Sequence, residues 1–217
     1  MIIDRKRNYC SINKSTRDSR KATSLICFFG IGSTLCVISK PSVMRKLILQ
    51  LAVSLDGYIE GPNGEFDWCF TDQDYGISQF FKRIDSLFIG RKTYELTLTM
   101  GDDAMPGFPK LTWYVFSTTL KEAKPGTVVI KEDIEAAVKQ IKNEPGKDIW
   151  LFGGASLTTS LLNLKLIDEI SLAVHPLILG GGKPLFSNIK DRTNLTLVDT
   201  KTYATGLVAL TYTLESK

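Results

Sequence analysis

The stretch with the most chemical promise is Asp148-Ile149-Trp150-Leu151-Phe152-Gly153-Gly154-Ala155-Ser156-Leu157. Ile149 to Phe152 are four apolar residues in a row, as in a strand covered on both faces. Gly153 and Gly154 lack a Cβ, so the backbone can turn sharply there and come close to a ligand. Ala155 to Leu164 continues with Leu157, Leu161, Leu162 and Leu164 at helical spacing. A helix N-terminus carries unpaired N–H groups and the positive end of a dipole, which suit a phosphate. The chemistry on offer is the binding of a nucleotide pyrophosphate. The same residues also describe a plain glycine turn that binds nothing, and the stretch by itself leaves both readings open.

A second chemistry competes for these residues. Gly154-Ala155-Ser156-Leu157-Thr158 is one residue away from the G-x-S-x-G of serine hydrolases, and Asp168 and His175 follow in serine–acid–histidine order. Thr158 replaces the last glycine, however. Asp168 and His175 are only seven residues apart, which leaves little chain to bring both to Ser156. His175 also lies in an apolar stretch ahead of Pro176, where a core histidine is expected. The pattern points away from hydrolysis.

Composition closes other routes. The 217 residues suffice for one domain with an appendage. Residues 1–43 hold eight of the 27 Lys/Arg and two of the 23 Asp/Glu, so residues 44–217 are slightly acidic and present no broad footprint for nucleic acid. Three of four cysteines, Cys10, Cys27 and Cys36, also fall before residue 44. Cys69 alone follows, so the body has no internal disulfide, and with His175 as its one histidine no metal site is expected.

Residues 1–43 read as an N-terminal extension. Arg5, Lys6, Arg7, Arg17, Arg20 and Lys21 precede an apolar run from Leu25 to Ile38, the outline of a signal or weak anchor. That run falls short of the roughly 20 residues a spanning helix needs, so no stable membrane span is expected. The favoured reading is that the domain proper, residues 44–217, starts at Met44 and is cytoplasmic. Gly30-Ile31-Gly32 lacks the third glycine of a dinucleotide fingerprint.

The elements that must position the glycine turn alternate between strand and helix. Strands are expected at Leu47–Ser54, Ser86–Ile89, Trp113–Phe116, Val128–Ile130, Ile149–Phe152 and Ile170–Leu179. Helices are expected at Asp74–Ile84, Lys92–Leu98 and from an Asp133 cap through Lys142, besides the one after Gly154. Leu55-Asp56-Gly57 is a turn, Tyr58–Asp67 and Gly101–Pro109 are loops, and Leu195–Tyr203 with Leu207–Leu214 is a terminal hairpin. This pattern implies an α/β fold with a mostly parallel central sheet flanked by helices and a C-terminal antiparallel hairpin.

Four motifs in order carry a resemblance. Ile89-Gly90-Arg91-Lys92-Thr93-Tyr94-Glu95 looks like the strand–turn–helix motif of dihydrofolate reductases. Leu51-Ala52-Val53-Ser54-Leu55-Asp56-Gly57, Phe152-Gly153-Gly154 and Pro176-Leu177-Ile178-Leu179-Gly180-Gly181-Gly182-Lys183-Pro184-Leu185-Phe186 resemble a sister group more closely. That group is the C-terminal reductase domain of the bifunctional deaminase-reductase of riboflavin synthesis, with its stand-alone relatives. The resemblance implies a dihydrofolate reductase-like fold, NADPH as cofactor, and hydride transfer to a small heterocyclic substrate. The leading substrate is 5-amino-6-(5-phosphoribosylamino)uracil. A pterin-like substrate, or nucleotide binding without turnover, are the alternatives. It also suggests a homodimer, for which the apolar terminal hairpin offers an edge.

Carried over residue by residue, the resemblance places Ala52 and Ile59 at the nicotinamide. Gly90, Arg91, Lys92 and Thr93 go to phosphates at a second helix start, and Ser117 and Thr118 lie near the adenosine 2′-phosphate. Gly153, Gly154, Ala155, Ser156 and Leu157 go to the pyrophosphate. Asp56, beside Ser54 after the first strand, is the nearest candidate for substrate binding or proton relay, and an Asp-Gly turn residue otherwise. Ser54 is a candidate for substrate binding, and Trp68 and Tyr94 are candidates to border a planar substrate, although such residues are more often core aromatics. Two departures stand out. Ile77 replaces the acidic residue that dihydrofolate reductases carry four positions before their Phe-Lys pair, here Phe81-Lys82. The H-x-E…P-C-x-x-C set of the deaminase half is missing.

Overall fold

The computed structural model describes residues 44–100 and 107–214. The expectations for residues 1–43 and for residues 101–106 of the Gly101–Pro109 loop lie outside the described residues.

The centre of the fold is β1, Leu47–Ser54, six of whose eight residues are apolar. Leu47 and Leu49 enter one hydrophobic cluster and Ile48 another, as the two-residue period of a strand buried on both faces requires. β1 lies between β6, Asp148–Gly153, and β7, Glu169–His175, and is parallel to both. Beyond β6 come β3, Ile84–Gly90, then β4, Thr112–Phe116, and β5, Thr127–Ile130, again all parallel. Beyond β7 the antiparallel hairpin of β9, Leu195–Thr202, and β10, Val208–Leu214, completes an eight-stranded sheet in the order β5-β4-β3-β6-β1-β7-β10-β9.

Among the described residues, four helices cover the sheet: α1, Ile77–Arg83; α2, Arg91–Met100; α3, Ile134–Asn143; and α4, Ala155–Asn163. Val138, Ile141, Leu157, Leu161 and Leu162 of α3 and α4 meet Leu47, Leu49 and Leu151 in one cluster. Phe80 of α1 and Tyr94 of α2 meet Ile48, Leu87, Ile89 and Trp150 in the other. No helix among the described residues is long and apolar enough to cross a membrane.

Most element boundaries fall where the periodicity places them, and the exceptions have local causes. The Asp133 side chain caps α3 as expected, accepting the Ala136 N–H at 3.1 Å. The helix expected from Asp74 begins only at Ile77, because Tyr75 and Gly76 take left-handed φ values of 46° and 86°. The strand expected to run to Leu179 stops at His175, where the Leu177 N–H turns back onto the His175 carbonyl at 2.8 Å around Pro176. Within the expected Tyr58–Asp67 loop, Tyr58–Glu60 is a strand, β2, paired antiparallel with β8, Lys183–Pro184.

The burial pattern sets a stability contrast. Leu151 is fully buried at the centre of the sheet, while Val128 on edge strand β5 is 42% exposed. Leu151→Ala is expected to cost about 3 kcal/mol and Val128→Ala under about 1 kcal/mol. Urea midpoints measure both, and equal shifts would contradict the assignment of core and edge.

Candidate functional site

All the parallel strands end on one edge of the sheet, and the order of strands reverses around β1. In open α/β sheets a crevice forms at such a point, outside the carboxyl ends. β3 and β6 lie side by side there, with Ile89 in register with Gly153. Each strand ends in glycine and passes directly into a helix, α2 from Arg91 and α4 from Ala155. The two turns touch. A Cβ on Gly90 would lie 3.7 Å from Leu157 Cβ and 3.9 Å from the Gly153 carbonyl oxygen. A Cβ on Gly154 would stand 2.9 Å from Thr93 Oγ1, which is too close. Gly153 has φ 127°, and its peptide bond to Gly154 is cis.

Two helix N-termini therefore open side by side on a shelf without side chains. Both helices leave their first N–H groups free of intrahelical acceptors, and those groups favour an anion between them. Ser156 is exposed at this shelf and Leu157 is buried behind it. Arg91 is half-exposed and paired with Glu95, one turn along α2, at 2.8 Å to each carboxylate oxygen. Lys92 is exposed. At the end of β4, Ser117 Oγ accepts the N–H groups of Thr119 at 3.1 Å and Leu120 at 2.8 Å, closing a turn on which Thr118 is exposed. The donor set is neutral N–H groups, hydroxyls and cations, which suits a phosphorylated nucleotide.

A second group gathers at the ends of β1 and β7, where Ser54 and His175 are in register. Ser54 is 1% exposed, and its hydroxyl donates to Asp56 at 2.6 Å and accepts the Tyr58 N–H at 2.9 Å. Asp56 also accepts the N–H groups of Leu179 at 3.1 Å and Gly180 at 2.8 Å. The Ser54 bond and these backbone donors hold the Asp56 carboxyl below the usual carboxylate range. A carboxylate kept ionised has no proton to give at neutral pH, so the geometry makes Asp56 an anchor for the Leu179–Gly180 loop. Ala52 pairs with Ala173 on β7, and Ile59 packs from β2 onto the core.

Trp68 reaches this group through His175, with ring centroids 5.2 Å apart and edge to face. Tyr94 is placed differently. It is 1% exposed among Ile89, Val115 and Trp150, and its hydroxyl accepts the Lys124 N–H at 2.8 Å. The hydrolase alternative comes apart entirely. Asp168 accepts the Leu47 N–H at 2.7 Å and pairs with Lys142 at 2.6 Å, both at the start of β1. Ser156 and His175 lie at the other end, a strand length of roughly 20 Å away.

Two features of this edge escape a reading by motif. His175 is 2% exposed and accepts the Phe70 N–H at Nε2, 3.1 Å away, while Nδ1 faces the Ala173 carbonyl at 3.0 Å. That pattern fixes a neutral ring with its proton on Nδ1. Gly182, at φ 120°, crosses β2 so closely that a Cβ would run into the Glu60 carbonyl, and Lys183 pairs with Glu60 at 3.0 Å. The run of three glycines was the available signal for this crossing; nothing in the sequence ties His175 to Phe70.

Burial pushes the His175 pKa below the ordinary histidine value of 6.5. A group whose folded pKa is depressed stabilises the fold fully above its unfolded pKa, and that contribution falls as pH drops below it. With one histidine in the sequence, the urea midpoint should decline from pH 7 toward about pH 5.5. His175→Phe should flatten that decline, and an unchanged slope would contradict the neutral assignment.

The sequence model of the RibD C-terminal domain matches residues 45–209. The chain is 45% identical to the uncharacterized protein YyaP of Bacillus subtilis over 179 residues, which are 77% of this chain and 94% of that protein. Among solved structures, a protein of Shewanella sp. PV-4 assigned to riboflavin biosynthesis superposes with a TM-score of 0.70 at 26% identity, covering 79% of this chain and all of that one. The deaminase/5-amino-6-(5-phosphoribosylamino)uracil reductase of Thermotoga maritima gives 0.63 at 12% identity, over 79% of this chain and 57% of that one. Dihydrofolate reductase of Enterococcus faecalis, complexed with NADP(H), gives 0.55 at 19% identity, over 79% and 97%, and shares the fold. With a family match spanning most of the chain, and a dihydrofolate reductase-like sheet whose paired glycine turns meet at one edge, this protein belongs to the RibD C-terminal domain family, the reductase half of the riboflavin deaminase-reductases.

Proposed function

We propose that the chain is an NADPH-dependent reductase acting on 5-amino-6-(5-phosphoribosylamino)uracil. The observation that carries the nucleotide half of this reading is the contact between two glycine turns at adjoining strand ends, each opening a helix N-terminus. Family membership supports the reductase half and the riboflavin-type substrate. When bound, the cofactor supplies a hydride for the ribosyl carbon. The protein supplies position.

In this reading, backbone N–H groups of residues 155–157 and 91–93 hold the diphosphate. Lys92, with Arg91 shared between Glu95 and phosphate, offsets its charge. The hydroxyls of Ser117 and Thr118 donate to the 2′-phosphate that separates NADPH from NADH. Ala52 and Ile59 flank the nicotinamide. Asp56 fixes the Leu179–Gly180 backbone beside it, with Ser54 locking Asp56. Trp68 borders the uracil from the loop that His175 holds, and Tyr94 supports α2 from below. Asp56 is ionised and His175 is neutral and buried, so the proton that follows the hydride comes from water. Ile77, apolar in the first turn of α1, cannot hydrogen-bond a pterin, which favours the uracil substrate over the pterin-like alternative.

The test is to mix the full chain with NADPH and 5-amino-6-(5-phosphoribosylamino)uracil and follow the loss of dihydronicotinamide absorbance. Substrate-dependent oxidation is expected. Binding of NADPH without oxidation would leave a nucleotide-binding protein, the second reading. No binding by the folded chain would remove the cofactor as well.

Two substitutions separate the shelf from a serine nucleophile. Gly154→Val forces a side chain against Thr93 and should weaken NADPH about a hundredfold in a fluorescence titration, while the fold persists. Ser156→Ala keeps the backbone N–H and should change affinity less than about threefold. Equal affinities for Gly154→Val and the native chain would rule out this shelf.

A further inference from the structure

The chain holds a cavity of about 460 Å³ that shares no residue with the glycine shelf. It is lined by Tyr94 and Leu98 of α2, by Thr112 and Trp113 of β4, by Phe108, Lys110 and Leu111 before it, and by the turn through Gly126. Thr112 and Thr127 are the first residues of β4 and β5. The cavity therefore lies at the amino edge of the parallel strands, about 17 Å, one five-residue strand, from the Ser117 end.

Its walls are aromatic. Trp113 stands 6.1 Å from Tyr94, at 65°, and 6.1 Å from Phe108, at 44°. Rings inclined to one another in this way present faces and edges to a flat apolar guest. Polar side chains share the lining: Thr97, Thr112, Thr127, Lys110 and Lys124, besides the Tyr94 phenol. Tyr94 is 99% buried, and its oxygen accepts the Lys124 N–H. Among the described residues the phenol makes no hydrogen bond as a donor, so its proton can be given to a guest. An acceptor on a ligand would use the donor capacity that the phenol leaves unspent. Lys110 lines the cavity and is exposed, placing a positive charge at the solvent side. The volume lies within the range of small-molecule sites, and apolar walls with convergent polar groups are the usual means of orienting a ligand.

We propose that this cavity is a second small-molecule site, taking a planar aromatic anion whose ring system lies against Trp113 and Phe108. Its acceptor takes the Tyr94 proton, and its carboxylate or sulfonate faces Lys110. The inference stands on the cavity alone and holds whether or not the glycine shelf carries NADPH.

The probe is anilinonaphthalene sulfonate, a planar aromatic anion whose emission rises in apolar surroundings, titrated into the full chain. Saturable binding of one equivalent is expected, undisturbed by saturating NADPH. Leu98 is 38% exposed and lines the cavity, so Leu98→Trp should fill it and weaken the probe at least about tenfold. Lys110→Glu should also weaken it about tenfold, and added salt should weaken binding to the native chain but not to this variant. A cooperative thermal melt checks each variant. If Leu98→Trp fails to fold, the exposed Lys110→Glu decides. Displacement by NADPH, equal probe affinity in the folded variants, or no saturable binding would each overturn the proposal.

Discussion

Everything at the carboxyl edge depends on how closely two strand ends approach. β3 and β6 are neighbours, and both pass into helices without a connecting loop. A Cβ on Gly154 would press against the Thr93 side chain, while one on Gly90 would sit in ordinary contact with Leu157 and the Gly153 carbonyl. This closeness aims the first N–H groups of α2 and α4 at one volume. A single helix N-terminus attracts anions weakly. Two that converge, with cations at one and hydroxyls on the next strand, describe a site that matches an extended phosphorylated molecule.

The other half of the edge is held by polar groups that are already occupied. Ser54 and Asp56 tie the end of β1 to the Leu179–Gly180 backbone, and neutral His175 ties the end of β7 to Phe70. Glu60 and Lys183 clamp β2 against β8, with Gly182 close against the Glu60 carbonyl. These groups use their hydrogen-bonding capacity to shape loops, which leaves little for acid–base catalysis. That division fits chemistry in which a cofactor does the bond-making and the protein sets distance and angle.

Much of this was legible in the chain. The four-residue apolar run before Gly153 gives a strand buried on both faces, and the Asp133 cap and the terminal hairpin follow from short-range rules that tertiary contacts did not override. What escaped depends on residues distant in sequence. β2 exists because residues 183–184 come back to pair with it, and Tyr58–Glu60 alone has no strand signal. Asp56 reads as turn chemistry until Leu179 and Gly180 arrive 123 and 124 residues later. The late start of α1 reflects left-handed Tyr75 and Gly76, and Tyr75 is an unusual residue to take that conformation. Tyr94 reads either as a substrate neighbour or as a core aromatic in the sequence, and packing under α2 makes it core.

The position of β1 also shapes how the protein is made. The strand is apolar on both faces, and its partners in the sheet come late: Lys46 bonds Asp148 and Leu47 bonds Asp168, 102 and 121 residues further on. A ribosome adding about 5–20 residues per second delivers those partners roughly 5–24 s after β1 emerges. During that interval the central strand is exposed beside a growing chain that cannot yet cover it, and closure then requires long loops to come together. Both neighbours of β1 are present only once β7 has left the exit tunnel.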